Sequence, residues 1–79
     1  MNCHYIVVRE DYMDEKNPRT AYGIAAVVEY DGCTVVMESI SDVCSEFAPI
    51  HQLVQYCNTL QLELIHLRDV VEDFCTKMF

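Results

Sequence analysis

Tryptophan is absent from the chain, glycine and proline occur only twice each, and five basic side chains stand against thirteen acidic ones. So few glycines and prolines exclude a collagenous or linker-like polymer. The shortage of lysine and arginine leaves a formal charge of −8 at pH 7, which argues against direct nucleic-acid binding by phosphate neutralisation. No apolar run approaches the roughly 20 residues of a membrane helix. The opening MNCHYIVVRED has no basic leader and only a short apolar run, so no secretory signal is expected. No C-x-x-C pair is present. The five cysteines (Cys3, Cys33, Cys44, Cys57, Cys75) are odd in number and none lies within ten residues of another. With a cytoplasmic setting expected, they read as reduced, small core side chains.

What is present is a foldable, evenly acidic chain. Its 79 residues are 52% hydrophobic, too apolar for disorder, and its mean hydropathy is +0.08. One domain, 1–79, is expected, near the size where burial reaches only about 60% of the unfolded surface. Residues 1–40 hold seven acids and three bases, and residues 41–79 hold six and two. Each half is therefore −4, and no acidic tail explains the total.

Residues 3–10 read as a first strand with β-branched Ile6, Val7 and Val8 at its centre. Residues 11–19, rich in charge and containing Asn17-Pro18, read as an exposed connection. A second strand covers 20–30, and Asp31-Gly32 between apolar runs predicts a two-residue type I′ hairpin turn. That turn predicts Tyr30 opposite Cys33, Val28 opposite Val35 and Ala26 opposite Met37. One face then holds Tyr22, Ile24, Ala26, Val28, Val35 and Met37 against the helices. The other holds Ala21, Gly23, Ala25, Glu29, Thr34 and Glu38, with Val27 and Val36 as its large apolar groups. Gly23 is read as a bulge or a close backbone approach.

A turn is expected over 41–45. Pro49 is tolerated only in a first helical turn, so a helix should start near Phe47 or Ala48, burying Ile50, Leu53, Val54, Cys57 and Leu60. Asn58, which tolerates the left-handed conformation, marks its end. A second helix, about 64–77, buries Leu67, Val70, Val71, Phe74 and Met78 at steps of three and four. Its other side carries His66, Asp69, Glu72, Asp73 and Lys77. The expected fold is α+β in two layers: a three-stranded antiparallel meander over about 3–40, then two antiparallel helices over about 47–77 packed on one face.

The blocks TAYGIAA (20–26), Cys57-Asn58 and IHLRDVVEDF (65–74) resemble a family of short bacterial proteins of unknown function, over about residues 3–76. Ser-Pro precedes the last block in that family, where this chain has Glu63-Leu64. The resemblance implies the same fold and supplies no activity, cofactor or catalytic residue.

Four constellations bear on chemistry. His66, Asp69 and Asp73 share a helix face at metal-ligand spacing, but no second matching motif accompanies them. A solvated face is the preferred reading, and no metal or cofactor is expected. Cys44 lies before a helix N-terminus, where a thiol pKa falls, yet a two-layer domain this small has little room for a substrate pocket. No enzyme activity is expected. Glu10, Asp11, Asp14 and Glu15 form an acidic loop, and Asp69, Glu72 and Asp73 a second acidic group. Tyr5, Tyr12, Tyr22, Tyr30 and Tyr56 supply interface-type aromatics.

These features predict a small acidic, non-enzymatic module that regulates by binding another protein. Its contact residues are Glu10, Asp11, Asp14, Glu15, Val27, Val36, Asp69, Glu72 and Asp73. The expected partner is a protein, with a basic or nucleic-acid-binding protein the fitting class, or a second copy on the open sheet face. Neither a membrane nor nucleic acid itself is expected as a partner. The alternative is an inhibitor of the defence-system type that mimics nucleic acid with its acids.

Overall fold

The computed structural model describes residues 3–13 and 16–78, with side chains described as far as Lys77. Three strands, β1 (Cys3–Tyr12), β2 (Arg19–Tyr30) and β3 (Cys33–Cys44), form an antiparallel sheet in the order β1-β2-β3. Two helices come next, α1 (Phe47–Thr59) and α2 (Leu67–Met78), the second entered through a 3-10 turn at Leu64–His66. Both pack on one face of the sheet. The α+β meander with two helices is the architecture the residue pattern predicts.

The Asp31-Gly32 turn forms as expected, with φ values of 53° and 79°. It sets Tyr30 opposite Cys33 and Val28 opposite Val35. The predicted register then fails by one residue: Ala26 faces Glu38, not Met37, because β3 carries an extra residue after Val36. The bulge reverses the facing of the residues beyond it. Glu38 therefore lies on the helix side, where Arg68 Nε meets its Oε1 at 2.7 Å, and Met37 is exposed.

A second irregularity carries β3 past Ile40, through the segment whose residue types predict a turn. Ile24 faces Ile40, but Tyr22 faces Cys44. Gly23 permits this, because a Cβ there would collide with the Ile40 carbonyl oxygen. Asp42 supplies the bend in the left-handed region, at φ 55°. Arg19 clamps it from β2 with two bonds, Nη1 to Oδ1 at 3.1 Å and Nη2 to Oδ2 at 3.0 Å. Val43 and Cys44 thereby reach the core.

The core lies between sheet and helices. Tyr5, Ile24 and Ala26 meet Ile50, Leu53, Val54 and Cys57 of α1 and Leu67 and Val71 of α2. Leu60, predicted to be buried, is instead 55% exposed beyond the helix end. α1 closes in a Schellman motif: Leu62 N–H donates to the Cys57 carbonyl at 3.0 Å and Gln61 N–H to the Asn58 carbonyl at 3.1 Å. The left-handed residue is Gln61, φ 51°, not Asn58.

Asn58 does something else. β1 is an edge strand, and the Tyr5 peptide groups point away from β2. The Asn58 side chain takes both: Tyr5 N–H donates to Oδ1 at 2.7 Å, and Nδ2 donates to the Tyr5 carbonyl at 2.9 Å. One amide thus stands in for a fourth strand at this point of the edge. Asn58→Leu should cost about 2–4 kcal/mol, since it strands two part-buried backbone groups. A urea titration showing a loss below about 1 kcal/mol would mean water serves the edge as well.

Candidate functional site

A twelve-residue strand spans about 40 Å and a thirteen-residue helix about 20 Å. The sheet must therefore extend beyond its helices, and the molecule measures 43 × 30 × 18 Å. Three surfaces result: the end of the sheet near Glu10, the β2–β3 hairpin with the open sheet face, and the outside of the helix layer.

At the first end, Glu10 and Asp11 lie on strand β1 and not in the predicted loop, and both are satisfied from within. The Tyr12 hydroxyl donates to Glu10 Oε2 at 2.8 Å. Thr20 Oγ1 donates to Asp11 Oδ1 at 2.8 Å, and Arg9 Nε lies 3.3 Å from the same oxygen. The Thr20 hydroxyl, seconded by Arg9, lowers the Asp11 pKa. Arg19 lowers that of Asp42 by hydrogen bonding and charge, and its guanidinium carbon sits 4.4 Å from the centre of the Tyr12 ring. Two arginines therefore stand among the acids, and the described part of this end is not a bare anionic track. Asp14 and Glu15 lie outside the described residues.

The open sheet face splits the two valines assigned to it. Val27, between His4 and Val36 on the central strand, is 1% exposed, because cross-strand neighbours on the same face cover it. Val36 on the edge is 58% exposed. Ile6 on β1 is exposed as well, and along the hairpin so are Met37 and, on the helix-side face that the helices leave uncovered there, Tyr30 and Val35. Sequence reasoning missed this group, having placed Val35 and Met37 against the helices. The mismatch between strand and helix lengths was the available signal.

On α2, Asp73 pairs with Lys77 at 3.0 Å. Asp69 lies in the first turn and Lys77 in the last, each at the helix end that favours its charge. Asp69→Ala should change stability by less than about 0.5 kcal/mol in thermal melts. His66 belongs to the 3-10 turn, not to α2. Among the described residues, no group of three His, Cys, Asp or Glu side chains is placed to hold a metal ion.

Cys44 is buried, and its Sγ accepts the Glu46 N–H at 3.5 Å. Cys57 is fully buried, and burial raises its thiol pKa. A cleft of about 670 Å³ opens between Cys3-His4 and residues 61–64. On its wall, the Asn58 amide is already committed to Tyr5.

Beneath the cleft, the Tyr5 hydroxyl donates to the Leu62 carbonyl at 2.6 Å. Burial, with the thiols of Cys3 and Cys57 nearby, pushes the phenol pKa up to about 12. A phenol raised above its unfolded value near 10 contributes fully below pH 10 and loses that contribution between pH 10 and 12. Stability should fall on the order of 2 kcal/mol across this window. Tyr5→Phe should flatten the slope in urea melts taken at stepped pH; an unchanged slope would assign it to other groups.

The chain is thus a small two-layer α+β domain with an exposed apolar hairpin and acids distributed around it. The chain belongs to a family of unknown function, DUF6514, whose model matches residues 1–77. No curated protein and no solved structure matches it. Among the described residues, no helix is long and apolar enough to cross a membrane.

Proposed function

We propose that this chain is a small acidic, non-enzymatic interaction module that acts by binding another protein through the β2–β3 hairpin and the adjoining open sheet face. The observation that carries the reading is the exposed apolar group Val35, Val36 and Met37 on β3, an edge strand that has no strand beyond it among the described residues, with Tyr30 exposed across the turn on β2. Exposed apolar surface beside unpaired backbone is what an incoming strand or apolar patch recognises. The setting fits the cytoplasm, where five free cysteines stay reduced.

The nucleic-acid-mimic alternative rests on net charge, and the internal pairing of Glu10 and Asp11 weakens it. The two readings separate in one capture experiment from cell lysate, using wild type, Val36→Glu, and a variant with Asp11, Asp14 and Glu15 reversed in charge. A partner held at about 1 M salt and lost with Val36→Glu supports the hairpin. A partner released by salt and lost with the charge reversal supports mimicry instead.

A further inference from the structure

We infer that the partner met by the hairpin is an extended, lysine- or arginine-bearing segment of another protein, which adds to the sheet as a strand along the free edge of β3. This names the partner class for the contact proposed above and rests on that reading. The two edges of the sheet differ. On β1, the Asn58 amide already occupies the outward peptide groups of Tyr5. On β3, the pair flanking the two-residue turn, Tyr30 and Cys33, exchanges both of its backbone bonds. Alternation then turns the N–H and C=O of Thr34 and Val36, opposite Glu29 and Val27, away from β2. Among the described residues, no strand lies beyond them. Edge strands are commonly blunted by lysine or proline, and β3, CTVVMESISDVC, has neither. The bulge after Val36 ends the regular run, so the open edge is the stretch from Cys33 to Val36.

The side chains select a strand over a flat apolar patch. Exposed apolar groups lie on both faces of that stretch: Val36 on the open face, and Val35 beside Tyr30 on the helix side. A flat patch laid on the sheet would cover one face and leave the other in water. A strand beside β3 projects its side chains alternately to both faces, so it meets Val35 and Val36 alike. Its backbone supplies acceptors and donors for Thr34 and Val36 at the same time.

Charge sets the composition of that strand. Residues 20–44 hold Glu29, Asp31, Glu38 and Asp42 and no lysine, arginine or histidine. Arg68 and Arg19 already pair with Glu38 and Asp42. Glu29, which accepts from Thr34 Oγ1 at 2.8 Å, and Asp31 stand beside the turn and act on whatever lies along the edge there. A lysine or arginine at the turn end of the incoming strand is attracted, and an acidic segment is repelled. The same count disfavours a second copy of this chain. Its β3 would bring Glu38 and Asp42 and no base, on a molecule that carries −8.

The probe is a synthetic peptide that alternates valine and threonine between terminal lysines, added at up to about 1 mM to the full chain. Reductant is present because Cys33 is exposed. Amide hydrogen exchange at Thr34 and Val36 should slow at least about tenfold, while exchange along the β1 edge stays as it was. The same peptide with terminal glutamates should bind at least about tenfold more weakly, with the gap closing near about 1 M salt. Thr34→Pro removes one outward N–H but keeps Val35, Val36 and the ladder to β2. It should abolish the slowing at Val36, whereas Thr34→Val should not. Unchanged exchange at Thr34 and Val36 in wild type, a measurement that needs no variant, would overturn the inference. So would equal binding of the lysine and glutamate peptides at low salt. The hairpin contact itself is judged separately in the capture experiment. A partner lost with Val36→Glu but kept by Thr34→Pro would overturn strand addition and leave that contact standing.

Discussion

Leu67→Ala should lower the stability of the fold by about 3–5 kcal/mol. Leu67 is fully buried at the start of α2 and belongs to the cluster that joins both helices to the sheet. Truncation leaves a cavity among Ile50, Cys57 and their neighbours, which are held by α1 and the sheet and can close it only in part. A domain of this size has only about 5–15 kcal/mol in total, so a large fall in the urea midpoint is the expected observation. Phe74→Ala is the comparison: Phe74 is half-buried at a groove between the helices, and its loss should be about 2 kcal/mol. Equal losses in urea titrations would mean that α2 presents a different face to the core.

Gly23→Ala should cost about 3 kcal/mol, near the upper end for overpacking. The added Cβ meets the backbone oxygen of Ile40, which cannot rotate away as a side chain could. Relief requires β3 to move off β2, which would also loosen the Arg19–Asp42 clamp and lift Val43 and Cys44 from the core. Gly32→Ala is the contrast. Nothing lies within 4 Å of a Cβ there, but φ is +79°, so the cost is the left-handed backbone alone, about 1–2 kcal/mol. Similar losses at both glycines would deny the close approach at Gly23.

The element order, the hairpin turn and the buried stripes of both helices could be read from local residue types, because each is set within a few neighbours. Asp31-Gly32 needs only its own backbone preference, and Ile50, Leu53, Val54 and Cys57 only the helical period. The register beyond Val36 could not be read that way. A turn fixes pairing until the first extra residue, and neither bulge has a local marker except Gly23, which shows where a strand can approach but not how many residues the partner inserts. Asn58 was similarly opaque. Its backbone tolerance pointed to a helix end, whereas its amide bonds a strand 53 residues earlier. The same register error hid Met37, whereas Tyr30 and Val35 keep their predicted pairing and are exposed because the helices are shorter than the strands.

The central claim, that this protein acts by contact through its hairpin, is tested most directly by a photo-cross-linking amino acid placed at position 36 and irradiated in living cells. The exposure of Val36 allows the replacement without disturbing the core. One discrete adduct with a different protein is expected, absent when the same group sits at Asp69 on the helix layer. No adduct at position 36, together with a discrete one at position 11, would contradict it and transfer the contact to the acidic end of the sheet.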